Sequence, residues 1–286
     1  MTSNEPFQSR SVGFGHISAQ YRLDIKVLDL AAIYIVVTKN MSNSLEQLDA
    51  VEIKVTIKPE QIKVAEDLFK LKQDESEKRK IYFCENIQTF RTTGKLQLFE
   101  HGIILRLRKN QDNPDDSTVK LRPVSSQISS EWRGIEGFKI EGDWVGDRRI
   151  ESASFTTEQK QGEIEETLED KRSLDKLFSE QQEHFLKTSA QIEIHLNNLQ
   201  VVGPVKAFRW KPKLGGSLTY PIRCERWHIP DGRQLLELSI RVQPKHAQVA
   251  QEEFMHYLKD NKLDPTGVQE TKTRLVLEYF ANELQE

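Results

Sequence analysis

Eight stretches of this chain alternate apolar and polar residues with a period of two: Val51 to Ile57, Gly102 to Lys109, Ser117 to Arg122, Gly137 to Val145, Gln191 to Leu196, Val205 to Lys211, Ile222 to Ile229 and Leu235 to Val242. Alternation of this kind belongs to strands with one apolar and one polar face, because successive side chains leave a pleated backbone on opposite sides. Turn-forming segments such as Asn113-Pro114-Asp115-Asp116 and Pro230-Asp231-Gly232 separate the runs and predict antiparallel hairpins. A sheet this large exposes long edges unless it closes or folds over. A mainly β fold with flanking helices (α+β) follows.

Helical period is confined to a few segments. Pro59 to Gln73 places Ile62, Ala65, Leu68 and Phe69 on one side, and His246 to Asp260 does the same with Ala247, Ala250, Phe254 and Leu258. Gln161 to Lys187 begins acidic and then spaces Leu174, Leu177, Phe178 and Phe185 helically, so an acidic helical insertion near 160–188 is expected to pack outside the sheet. Thr271 to Leu284 predicts a final helix. The first forty residues share no pattern with the rest. We therefore expect an N-terminal extension over 1–44, with Met41 as an alternative start, and a single domain over 45–286. An ordered strand at Ile33 to Val37 is the competing expectation for the extension.

Composition removes several classes. The longest apolar run, Val27 to Val37, is broken by Asp29 and falls short of the roughly 20 residues a membrane span needs. No membrane partner is expected. A net charge of −3 gives no whole-chain field for DNA, so any basic site must be local. Two cysteines, Cys84 and Cys224, make no disulfide framework and fit a reducing cytoplasm.

The polar faces of the strands carry the functional signal. Residues two apart share a face, which pairs Glu52 with Lys54, Arg106 with Arg108, Lys120 with Arg122, Lys139 with Glu141, Arg209 with Lys211 and Arg223 with Glu225. Leu105, Leu107, Val119 and Leu121 occupy the opposite faces. Two arrangements satisfy this pattern. In one, the apolar faces meet as a sandwich core and the charges are solvated. In the other, the charged faces line a wet tunnel and helices cover the apolar outside. Converging Arg and Lys repel unless an anion lies among them, and guanidinium groups match phosphate oxygens in bidentate fashion. The second arrangement therefore calls for a polyanionic ligand.

With those residues in view, Leu48 to Phe280 resembles the CYTH family of triphosphate tunnel proteins, which includes thiamine triphosphatases, inorganic triphosphatases and class IV adenylyl cyclases. Val51-Glu52-Ile53-Lys54 is similar to the end of the family's opening E-x-E-x-K strand, with Ala50 in place of its first Glu. Leu105-Arg106-Leu107-Arg108 is similar to its Arg-x-Arg strand, Thr118-Val119-Lys120 to its Thr-x-Lys strand, and Phe138-Lys139-Ile140-Glu141 to its mid-chain charged strand. Glu237-Leu238-Ser239 is similar to its late E-x-E strand, with Ser239 in place of the second Glu, and Lys272 to a Lys near its end.

The resemblance implies a closed antiparallel eight-stranded barrel that binds, and in an active member hydrolyses, a triphosphate-containing small molecule. It implies catalytic roles for Glu52 and Lys54. Triphosphate binding falls to Arg106, Arg108, Lys120, Arg122, Lys139, Arg209, Lys211 and Lys272. Mg²⁺ or Mn²⁺ would be held by Glu52, Glu141, Glu225 and Glu237. Because hard divalent cations prefer charged oxygen ligands, Ala50 and Ser239 weaken the metal site more than the phosphate site. A metal-dependent triphosphatase and a non-hydrolysing polyphosphate or nucleotide-binding module are both left open. Phosphate-loop, nucleophile-elbow and His-Glu-x-x-His motifs are absent. An apolar carrier barrel would need an apolar lumen with the paired cations outside.

Overall fold

The computed structural model describes residues 47–124, 128–214, 218–265 and 272–284. The expected extension over 1–44, the start at Met41 and the strand at Ile33 to Val37 lie outside the described residues. Among the described residues nine strands form: β1 (Ala50–Ile57), β2 (Glu77–Glu85), β3 (Ile103–Asn110), β4 (Asp115–Leu121), β5 (Phe138–Val145), β6 (Arg148–Gln159), β7 (Gln200–Trp210), β8 (Ile222–His228) and β9 (Gln234–Val242). They close into a barrel in the order β1-β5-β6-β4-β3-β2-β7-β8-β9, and β9 returns to β1.

The barrel departs from the expected eight antiparallel strands in count and in direction. β1 runs parallel to β5, with Glu52 beside Asp143, while the other pairs are antiparallel. Alternation reports faces, not direction, so a parallel neighbour brought in by a long crossover looks the same in sequence. β2 and β6 were not expected as strands. Glu77-Lys78-Arg79-Lys80 is charged on both faces, and Ile81 to Cys84 is buried on both. Gln191 to Leu196, which alternates, forms no strand. It crosses the surface of the core, with Ile192 and Ile194 packed against it.

Seven helices accompany the strands among the described residues: α1 (Ile62–Phe69), α2 (Ile87–Thr93), α3 (Gln97–Glu100), α4 (Glu163–Leu168), α5 (Glu180–Ser189), α6 (Ala247–Asp260) and α7 (Lys272–Glu283). The acidic segment breaks into α4, a 3-10 turn at Leu174–Leu177 and α5, whose start is fixed by a capping box between Ser179 and Gln182. The outward apolar faces, including Ile53, Val55, Leu105, Leu107, Val119, Leu236 and Leu238, form one core with Phe69 of α1, Phe185 of α5, and Phe254 and Leu258 of α6. Each fully buried Phe or Leu contributes about 1.5–3 kcal/mol relative to exposure, which holds the helices on the outside. A second cluster forms on the inner face, where Ile81, Phe83, Val205, Ala207 and Trp227 meet Val276, Leu277 and Ala281 of α7. Part of the interior is thus apolar and filled, and the rest is left to charged side chains. Among the described residues no helix is long and apolar enough to cross a membrane.

Candidate functional site

With Leu105 and Leu107 under the outer helices, Arg106 and Arg108 point into the barrel. The same parity brings the even residues of β1, β3, β4 and β6 and the odd residues of β5, β8 and β9 around one cavity of about 310 Å³. Eleven Lys and Arg side chains and four Glu line it, so its wall is strongly cationic although the chain as a whole carries −3.

One part of the wall is organised around Asp143, which is 1% exposed. Its carboxylate receives Lys54 Nζ at 2.5 Å, Lys120 Nζ at 3.0 Å and Arg122 Nε at 3.3 Å, and Lys54 also reaches Glu52 at 2.9 Å. Burial by itself would raise the Asp143 pKa, but Lys120, Lys54 and Arg122 together hold it well below the ordinary carboxylate range. Burial likewise opposes the charge on Lys54, yet Glu52 and Asp143 push its pKa upward. Beside this group Glu141 is taken by Arg241 at 2.5 Å.

A second part lies where β8 meets β9. Glu225 stands directly opposite Glu237 in the ladder. Lys272, from the first turn of α7, bridges the two at 2.8 and 3.1 Å over the ring of Trp227. Against the cost of burial, Lys272 and then Arg79 and Arg108 keep the Glu225 carboxyl far below its usual pKa.

The third part is arginine-rich. Arg106 donates to Thr118 Oγ1 at 3.2 Å while its Nε is buried without a partner, as is Nε of Arg79. Burial, and after it the neighbouring Arg108, depress the Arg106 pKa. Arg209 is depressed likewise by burial, Arg79 and Arg223. Asp116 accepts Arg108 at 3.0 Å, and Glu77 takes Arg79 at 2.5 Å but lies 3.8 Å from Arg209. Arg223 lines the cavity with no ion pair among the described residues. Buried donors without acceptors are costly, and an anion with several oxygens would satisfy them.

The structure therefore brings Glu52, Lys54, Arg106, Arg108, Lys120, Arg122, Lys139, Glu141, Arg209, Glu225, Glu237 and Lys272 to one cavity, with Lys139 on its exposed part. Lys211 is not among them. β7 ends at Trp210, so the alternation that would have turned Lys211 inward stops one residue early, and Lys211 is exposed beside Pro212 and Leu68. Ser239 also lines the cavity, whereas Ala50 is buried.

Sequence reasoning passed over Asp143, Arg79 and Arg241. Asp143 sits two residues beyond Glu141, so the parity that selected Lys139 and Glu141 also selects it. Arg241 stands in the same relation to Ser239. Arg79 carried no such signal, because its charged run hid the strand. As for a metal, among the described residues no three His, Cys, Asp or Glu side chains gather in a way that could hold one. The four glutamates expected as ligands are engaged instead by Lys54, Arg241 and Lys272.

No protein-family model matches the chain, and no curated protein matches it. Solved structures do. A candidate adenylate cyclase of Bacillus halodurans aligns at TM-score 0.52 and 14% identity over 79% of this chain and 96% of its own. A candidate adenylyl cyclase of Hippeastrum, described as having a dominant triphosphatase activity, aligns at TM-score 0.51 and 13% identity over 80% of this chain and 95% of its own. Likeness at this identity speaks to the backbone alone. In fold, the chain is a closed barrel of the triphosphate tunnel type.

Proposed function

We propose that this protein binds a triphosphate-containing small molecule in the lumen of its barrel. The observation that carries the reading is the arginine-rich wall of Arg79, Arg106, Arg209 and Arg223, where guanidinium groups outnumber the carboxylates that face them and Nε of Arg79 and Arg106 is buried without a protein acceptor. Inorganic triphosphate, thiamine triphosphate and nucleoside triphosphates share the polyanionic chain that such a wall suits. Arg106, Arg108 and Arg209 would take phosphate oxygens, with Lys120 and Arg122 adding positive potential from the Asp143 side. Titration with tripolyphosphate in calorimetry tests it. Saturable binding that weakens steeply with salt is expected, and no heat of binding at low salt would end the reading.

Hydrolysis is the second reading, favoured by the described triphosphatase activity of the Hippeastrum protein and by the presence of Glu52 and Lys54 in the lumen. In it a divalent cation, Mg²⁺ or Mn²⁺, would supply charge neutralisation and water activation when bound. The engagement of the glutamates by lysine and arginine favours binding over turnover. Phosphate release measured with tripolyphosphate across a Mn²⁺ series separates the two. In line with a reducing compartment, we place the protein in the cytoplasm, and a fluorescent fusion found in any oxidising compartment would overturn that placement.

A further inference from the structure

Glu225 and Glu237 face each other directly across the β8–β9 ladder, an arrangement that destabilises a sheet unless a cation lies between the two charges. In the tunnel family a cation in the lumen is expected to be a divalent metal. Here Lys272 Nζ lies 2.8 Å from Glu225 and 3.1 Å from Glu237, and its side chain is 8% exposed. This is not a surface lysine that happens to reach a carboxylate. It opens α7, and Val276, Leu277 and Ala281 of that helix are locked into the inner apolar cluster with Trp227, whose ring lies 4.6 Å from the ammonium.

We infer that Lys272 serves as a built-in cation between Glu225 and Glu237, so that this side of the lumen binds phosphate without a divalent metal. The inference rests on the anion-binding reading of the lumen. One ammonium on two carboxylates leaves a single negative charge, and Arg79 and Arg108 lie close enough to depress Glu225 further. A divalent ion entering between the same oxygens would have to expel an ammonium held by a packed helix, or share a buried site with it at the cost of like-charge repulsion. The same device appears a second time, where Lys54 bridges Glu52 and Asp143. Removing the ammonium reverses the balance. Two half-buried carboxylates facing each other without a cation between them repel, and a hard divalent ion with oxygen preference is the natural replacement.

The test is Mn²⁺ binding to the full chain, followed by electron paramagnetic resonance and calorimetry with no phosphate ligand present. Wild type is expected to show no Mn²⁺ site sensitive to Glu225→Gln, and to bind tripolyphosphate in EDTA. Lys272→Met is expected to gain one Mn²⁺ site, tighter than any in wild type by about tenfold or more, and Lys272→Met with Glu225→Gln to lose it. Lys272→Arg, which keeps the charge, should gain none. A wild-type Mn²⁺ site that disappears in Glu225→Gln would overturn the inference, as would a Lys272→Met protein that folds and gains no site. Should Lys272→Met not fold, the wild-type and Lys272→Arg measurements decide alone. Absence of tripolyphosphate binding would count against the lumen reading, while the Mn²⁺ results would still stand or fall by themselves.

Discussion

Around Asp143, three cations converge on one carboxylate that is almost fully enclosed. On the wall formed by β2, β3, β7 and β8, Arg79, Arg106, Arg209 and Arg223 crowd together, with Glu77, Asp116 and the Lys272-bound Glu225 as the carboxylates beside them. Both regions use Lys, Arg and acidic side chains on inward strand positions, and both lie in the same lumen. They differ in compensation. Near Asp143 the cations already have their anion, so the group acts as a clasp tying β1 and β4 to β5. At the arginine wall two buried donors, Nε of Arg79 and of Arg106, have no protein acceptor, so an entering anion can satisfy them. Where charge is compensated it serves the fold; where it is not, it is available to a ligand.

The strongest way to break this comparison is Asp143→Ala. It should strand Lys120 and Arg122 without a counter-charge, leave Lys54 to Glu52 alone, and destabilise the fold by about 3–5 kcal/mol. Urea unfolding measures this, and tripolyphosphate should recover part of the loss by supplying an anion. A loss below 1 kcal/mol would mean that the clasp is not structural.

Arg106→Ala makes the opposite test. It should weaken tripolyphosphate binding by roughly 1.5–3 kcal/mol, the worth of a hydrogen bond to a charged group, while the melting temperature stays the same or rises as repulsion with Arg108 is relieved. Unchanged affinity in the folded variant would move the ligand elsewhere in the lumen.

The pH dependence of stability sharpens the comparison. Asp143 and Glu225 both have pKa values depressed by folding. Near pH 4 the unfolded chain therefore takes up protons that the folded chain refuses, so acid favours unfolding. The stability they contribute is present above about pH 4 and is lost as pH falls toward their folded values, at about 1.4 kcal/mol per pH unit for each proton. Melting curves between pH 5 and 2 should show one proton less of slope in Asp143→Asn, and an identical slope would assign the acid sensitivity to other groups.

The smallest effect belongs to Lys211→Ala. Exposed and outside the cavity, Lys211 should leave tripolyphosphate affinity and stability within about 0.5 kcal/mol of wild type. A drop comparable to that of Arg106→Ala would place the binding surface outside the barrel.

Period-two patterning by itself located most of the strands and assigned their faces. Charge on one parity and apolar residues on the other are local facts, and parity cannot change without burying a row of Arg and Lys among Phe and Leu. That is why Arg106, Arg108, Lys120 and Glu225 were legible as one set. Only the tertiary structure decided the rest. Which side of a strand faces a lumen depends on helices far away in sequence, above all α6 and α7. β2 became a strand because β3 and β7 lie on either side of it, and its apolar half is buried twice over because α7 fills the barrel there. Gln191 to Leu196 has the pattern but no neighbouring strand, and a strand without a ladder leaves its backbone groups unpaired. The partners of each charge were likewise out of reach: sequence names the carboxylates, whereas the choice of an ammonium to join Glu225 to Glu237 comes from where a packed helix places Lys272.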